Sequence, residues 1–348
     1  MNRKPVNKFI DATDFPVFVD GLIDSTRVVG PVAKRKKFAY ADLTSAEELR
    51  LDFDVTMLPP KAVFFPPVQE LLEFNGNKIE SCIHPVDTVL FGVHPYDVKA
   101  IDMCDEFFSK PTADGDYLNQ RAATTLVASN IQNVSPWAFW DTIGPDVAPI
   151  GMDAFLTKIE GGYVLDVYTD KGEDLLEFGT FADATSAQIG ESQHVNDAVV
   201  GTCEHRLRNT GSQIADTMDE RFDDKLLWEG LSDGCFSCGS CNIVCPTCFC
   251  FDVEDHWNLD QVSGYRSRCW DSCLAYDFSV TTLAGGGEEN FRGEHYERFR
   301  HRFMRKMVYQ KDRFEGPACV GCGRCAGSCT PGIADPVKVI NTVMGVEE

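Results

Sequence analysis

Positive charge is scarce in this chain of 348 residues: 32 lysines and arginines stand against 54 aspartates and glutamates, a formal charge of −22. So large an acidic excess repels phosphate backbones and anionic bilayers, which excludes a general affinity for nucleic acid or membrane surfaces and leaves proteins and small molecules as partners. Long apolar runs are missing as well. No stretch of about 18 apolar residues occurs, and no apolar segment follows the charged start Met1-Asn2-Arg3-Lys4, so neither a membrane span nor a secretory leader is expected and the protein reads as cytoplasmic. Short catalytic signatures are also lacking: there is no G-x-S-x-G, no phosphate-cradling G-x4-G-K-[ST] and no G-x-G-x-x-G after a strand. Gly285-Gly286-Gly287 is too bare to imply a nucleotide and reads as a turn. With 43% hydrophobic and 25% charged residues, disorder, collagen and coiled coil are excluded, and a length near 350 suits two domains.

Cysteine is rare in one part of the chain and dense in another. Of 15 cysteines, only Cys82, Cys104 and Cys203 precede Gly234; the other 12 lie between Cys235 and Cys329. In a reducing compartment such a concentration means metal ligation or redox chemistry, not disulfides. The first three are isolated and read as packing residues, and His84 and His94, which flank an apolar run, read as hydrogen-bonded or surface histidines.

The expected fold is α+β. Residues 1–230 read as a mixed α/β domain that binds a partner, with strand-like runs at Ala62-Val63-Phe64-Phe65, Thr88-Val89-Leu90-Phe91-Gly92-Val93 and Thr124-Thr125-Leu126-Val127. Alternation on both sides of Glu160-Gly161-Gly162 predicts a hairpin joining the run 155–159 to the run 163–168. Residues 183–231 are polar and helix-compatible. Residues 231–348 read as a mostly helical domain of the bacterial two-cluster ferredoxin type with an insertion at about 249–316.

Two constellations carry that reading. Cys235, Cys238, Cys241 and Cys245, followed by Pro246, are spaced C-x2-C-x2-C-x3-C; Cys319, Cys322, Cys325 and Cys329 repeat the spacing, with Pro331 one place later. This is the bacterial ferredoxin arrangement, in which three close thiolates grip one 4Fe-4S cluster and the fourth ligates the other. A cubane needs four soft thiolates converging on a small curved surface, and Gly239, Gly321 and Gly323 let the backbone wrap it closely. Carrying the pairing over predicts cluster one on Cys235, Cys238, Cys241 and Cys329, and cluster two on Cys319, Cys322, Cys325 and Cys245. A pair of zinc sites would use the same residues, but zinc knuckles normally supply two ligands each. The 73 residues between Cys245 and Cys319 then form an insertion closed by metal. Cys248, Cys250, Cys269 and Cys273 within it are numerous enough for a third iron–sulfur cluster, or are small residues packing the insertion.

The insertion also carries an amphipathic helix at about 294–310, with Tyr296, Phe299, Phe303 and Met307 on its apolar face. From 291 to 314 eight Lys or Arg oppose three acids. This basic face reads as a solvated surface, as an offset to anionic clusters, or as a docking face for an acidic partner through Arg298, Arg302 and Arg305.

Taken together, Cys245-Pro246-Thr247-Cys248-Phe249-Cys250-Phe251-Asp252, Trp270-Asp271-Ser272-Cys273, the arginine-rich 298–306 and Cys319-Val320-Gly321-Cys322-Gly323-Arg324-Cys325 resemble a family of iron–sulfur subunits that groups the sulfhydrogenase beta subunit with its counterpart in anaerobic sulfite reductase. Leu58-Pro59-Pro60-Lys61, Phe65-Pro66-Pro67 and Phe91-Gly92-Val93-His94-Pro95-Tyr96-Asp97 extend the likeness over most of the chain. The family pattern has a cysteine at the position of Tyr96 and further cysteines within 130–140, where this chain has none, so any metal site they build in relatives is absent here. The resemblance implies an electron relay between a flavoprotein subunit, linked to NAD(P)H or ferredoxin, and a catalytic subunit such as a hydrogenase or a sulfite reductase. Two other classes remain: a flavin-containing reductase acting directly on a small substrate, and a scaffold whose clusters only staple the fold.

Overall fold

The computed structural model describes residues 4–143 and 151–346; the reading of the amino terminus rests partly on residues 1–3, which lie outside the described residues. The fold is α+β, and the chain divides into two compact units that interleave in sequence. The first comprises Met1–Phe64, His84–Ser135 and Pro145–Cys203; the second comprises Phe65–Ile83, Pro136–Gly144 and Glu204–Glu348.

The first unit is built on an eight-stranded sheet. Its strands are β1 (Val6–Asp11), β2 (Arg27–Lys34), β3 (Lys37–Asp42), β6 (Thr88–Val93), β7 (Thr124–Ser129), β8 (Ala154–Ile159), β9 (Gly162–Val167) and β10 (Ala182–Asp183), in the spatial order β10-β1-β9-β8-β7-β6-β2-β3. The centre, β2-β6-β7-β8, is parallel, and the flanks are antiparallel. Central parallel strands are covered on both faces and so read as continuous apolar runs: all six residues of β6 are buried. The helices Pro95–Ser109 and Gly115–Ala122 make the crossover from β6 to β7. The hairpin foreseen around Glu160 is β8-β9, in register from Ala154↔Val167 to Ile159↔Gly162. One expected strand is not there. Residues Pro60–Val63 form a 3-10 turn leading into Phe64 and Phe65, each 1% exposed, because Pro59 and Pro60 preset φ for a turn and offer no N–H to a ladder. His94 is buried, stacked on Phe53 at 3.9 Å, and its Nδ1 is 2.7 Å from the Tyr96 hydroxyl.

The second unit has its own sheet, ordered β11-β12-β4-β5 from β4 (Val68–Asn75), β5 (Lys78–Ser81), β11 (Phe251–Trp257) and β12 (Ser263–Trp270), and a small hairpin of β13 (Val280–Thr282) and β14 (Glu288–Asn290). Its apolar core gathers Trp228, Phe299, Phe303, Met304, Met307, Ile340 and Val343, drawn from the helices Lys225–Ser232, His295–Met307 and Pro336–Val343. Each such side chain, fully buried, contributes about 1.5–3 kcal/mol. This core backs the two cysteine motifs. Among the described residues, no helix is long and apolar enough to cross a membrane.

Candidate metal centre

Both motifs fold by the same local device. In the first, Gly239 at φ +75° caps the short helix Ser240–Ile243, which carries Cys241; in the second, Gly323 at φ +77° caps Arg324–Ser328, which carries Cys325. Two residues earlier, Ser237 (φ +52°) and Gly321 (φ +66°) are also left-handed. The fit around the second loop is close enough to demand glycine. A Cβ on Gly321 would lie 2.5 Å from the Cα and N of Trp140, and one on Gly323 would lie 2.4 Å from the carbonyl of Trp137. The segment 137–140 is thereby pressed against this loop, and the Phe139 N–H donates to the Gly321 carbonyl at 2.8 Å.

The fourth cysteine of each motif faces the other motif. Cys329 is an electrostatic neighbour of Cys235 and Cys241, and Cys245 is one of Cys319 and Cys325. Cys245, Cys319, Cys322 and Cys325 line one cavity, together with Phe139, Thr247, Arg302 and Lys306. Burial pushes the Cys241 thiol up to about 11 and the Cys319 thiol up to about 12. The neighbouring Cys248 thiol, assisted by Lys306 and Arg302, holds Cys245 well below the usual range despite its burial.

Among the described residues, one group of three metal-ligating side chains has its donor atoms all within 4.8 Å of one another, the surface trio Glu70, Glu73 and Cys82; no three thiols of the motifs are that close. Sulfurs about 2.3 Å from a single tetrahedral zinc lie roughly 3.8 Å apart.

The helix His295–Met307 explains how such a site is held. Phe299, Phe303 and Met307, spaced by four, enter the core, and Arg298, Arg302 and Lys306, each one residue earlier, form a parallel stripe that is buried too. The Arg298 guanidinium donates to the carbonyls of Leu274 (3.1 Å), Arg292 (2.8 Å) and Gly293 (2.8 Å). Arg302 Nε donates to Asn242 Oδ1 at 3.1 Å. Lys306 Nζ donates to Thr247 O at 3.0 Å and Thr247 Oγ1 at 2.7 Å. This corrects the docking role expected for the basic face: Arg298 and Arg302 turn inward because thiol-rich loops, not solvent, lie opposite them. Arg305 alone of the three reaches the surface in part, over the Phe249 ring at 4.6 Å.

The insertion's cysteines separate. Cys250 and Cys273 are hydrogen-bonded to each other, and Cys248 contacts Cys245. Cys269 sits on β12 opposite Asp252, with the carboxylates of Glu254, Asp252 and Asp271 as its charged neighbours. In the first unit, Cys104 and Cys203 are buried, as read. Cys82 is half-buried in the second unit, beside Glu70 and Glu73.

Asn242 and Thr247 are site residues that the cysteine spacing did not single out. The Asn242 amide donates to Ser272 Oγ (3.0 Å) and Cys273 Sγ (3.1 Å) while accepting from Arg302, so it ties the first motif, the insertion and the helix together. Asn242→Leu keeps the volume but strands a buried guanidinium. It is expected to cost about 2–4 kcal/mol, read as a lower urea midpoint of the anaerobically purified protein; an unchanged midpoint would contradict the role.

A family model described as a 4Fe-4S dicluster domain matches residues 234–333. The chain is similar to Sulfhydrogenase 2 subunit beta of Pyrococcus furiosus, at 31% identity over 331 residues, which is 94% of this chain and 96% of that relative. No solved structure matches the chain.

Proposed function

Since this chain belongs to the sulfhydrogenase beta subunit family, we propose that it is the electron-transfer subunit of a cytoplasmic oxidoreductase complex, relaying electrons between a flavoprotein and a catalytic subunit such as a hydrogenase or sulfite reductase. Two 4Fe-4S clusters serve it, one on Cys235, Cys238, Cys241 and Cys329 and one on Cys245, Cys319, Cys322 and Cys325. The observation that carries this reading is the cavity ringed by the last four thiols, with two buried cations in its wall. Such clusters supply one-electron chemistry, at potentials that charge, burial and hydrogen bonds adjust. The mixed α/β portion, residues 1–230, is assigned to partner binding; it carries three of the 15 cysteines and none of the cluster ligands.

Protein purified without oxygen is expected to be brown, to bleach on reduction, and to hold about eight irons and as many sulfides per chain. Zinc in place of iron would defeat the proposal. Flavin bands would favour a reductase acting directly on substrate, and a count near twelve irons would add a third cluster to the insertion, where Cys248, Cys250 and Cys273 are the candidate ligands.

A further inference from the structure

Three cations on one helix are buried without carboxylate partners: Arg298 is 6% exposed, Arg302 3% and Lys306 4%. Among the described residues, no Asp or Glu lies within ion-pair distance of any of them. An isolated buried charge costs several kcal/mol, and natural proteins meet that cost with a counter-charge. Arg298 is met by backbone carbonyls, and what faces Arg302 and Lys306 is sulfur. The charged neighbours of Arg302 are Cys241 from the first quartet, then Cys325 and Cys245 from the second, then Cys248. Those of Lys306 are Cys245, Cys248 and Cys319, with no member of the first quartet among them, and the like-charged Arg305. Arg302 and Lys306 also both line the cavity of the second quartet.

Resting on the two-cluster reading above, we infer that Arg302 and Lys306 set the reduction potentials unequally: Arg302 stands between the quartets as a counter-charge shared by both clusters, and Lys306 acts on the second cluster alone. Reduction adds one negative charge to a site whose burial resists it, and a fixed cation nearby makes that charge easier to accept. The helix holds the two cations rigidly. Successive members of the stripe are one turn apart, Lys306 is pinned through Thr247, whose hydroxyl in turn donates to the Ala318 carbonyl at 2.8 Å, and Arg302 is pinned through Asn242.

The test is an EPR-monitored redox titration of the full-length, cluster-loaded protein, with iron counted in every variant. Lys306→Gln is expected to lower the one-electron reduction equilibrium of one cluster at least tenfold, 59 mV, and to leave the other within threefold. Arg302→Gln is expected to lower both at least tenfold. Lys306→Arg and Arg302→Lys, which keep the charge, are expected to leave both within threefold, and they carry the test if a glutamine variant does not load iron, because a tenfold fall with the charge retained would overturn the inference. It would also be overturned if Lys306→Gln moved both clusters equally, or neither, or if Arg302→Gln moved only one. Failure of the underlying reading looks different: the unaltered protein would show no reducible 4Fe-4S signals at all.

Discussion

Cys322→Ser combined with Cys329→Ser is expected to leave almost no iron in the protein, whereas Cys322→Ser combined with Cys245→Ser is expected to retain about four irons per chain. The contrast follows from which thiols share a cluster. Cys322 and Cys245 both line the second cavity, so losing both disables one site twice. Cys329 instead neighbours Cys235 and Cys241, so losing it with Cys322 disables both sites. If each motif held a cluster by itself, the outcomes would exchange: Cys322 and Cys329 would then share a site, and that pair would spare the other four irons. A serine hydroxyl is a poor substitute ligand, since it is not ionised near neutral pH and is harder than a thiolate. Iron and acid-labile sulfide assays on the two double variants decide the matter. The proposed arrangement also bears on folding, because exchanged ligands would tie residue 245 to the 319–325 loop and close the 73-residue insertion with metal.

The cysteine repeat was legible because its chemistry is local: three thiolates within seven residues can curve around one cluster only with that spacing and with permissive backbone between them. The hairpin β8-β9, strands β6 and β7, and the helix at His295–Met307 were legible for a similar reason, as each declares itself within about a dozen residues. What escaped depends on distant partners. The hairpin β4-β5 joins the cysteine-rich unit because β4 pairs with β12, from Asn75↔Ser263 to Val68↔Cys269, and nothing near residue 70 announces a ladder with residue 265. The insertion itself, in which one helix was legible, contains that sheet's other half. The segment 137–140 folds against the second motif because Gly321 and Gly323 leave room for its backbone, a fit invisible from either stretch alone. The basic stripe misled through a sound rule applied to an unusual neighbour. Charges on an amphipathic helix normally seek water, but here the facing surface is rich in thiols able to ionise. The regular interval of four in Arg298, Arg302 and Lys306 was the available signal, since a merely solvated face has no need of a single straight row.

Equivalent positions in the two motifs are expected to respond to substitution with opposite sign. Gly321 and Ser237 each precede the second cysteine of their motif, and both hold left-handed backbone, at φ +66° and +52°. Gly321→Ala adds a methyl that must sit 2.5 Å from the Trp140 backbone, and main-chain atoms held by the Phe139 to Gly321 hydrogen bond cannot rotate aside. The left-handed penalty of about 1–2 kcal/mol comes on top of that overlap, so the variant is expected to lose more than about 3 kcal/mol and with it the second cluster, halving the iron. Ser237 already bears the penalty, and its hydroxyl is buried without a protein partner. Ser237→Gly relieves about 1–2 kcal/mol of backbone strain and gives back about 0.4–1 kcal/mol through the freer unfolded chain, for a net gain of up to about 1 kcal/mol. Thermal unfolding followed at the cluster absorbance measures both. A neutral or stabilising Gly321→Ala would mean that the second loop is not pressed against Trp140, and a destabilising Ser237→Gly would mean that the serine hydroxyl holds something the strain estimate omits. The two motifs share a spacing and a backbone path, but the walls around them differ, and it is the wall at Trp140 that requires glycine at 321 where the first motif carries Ser237.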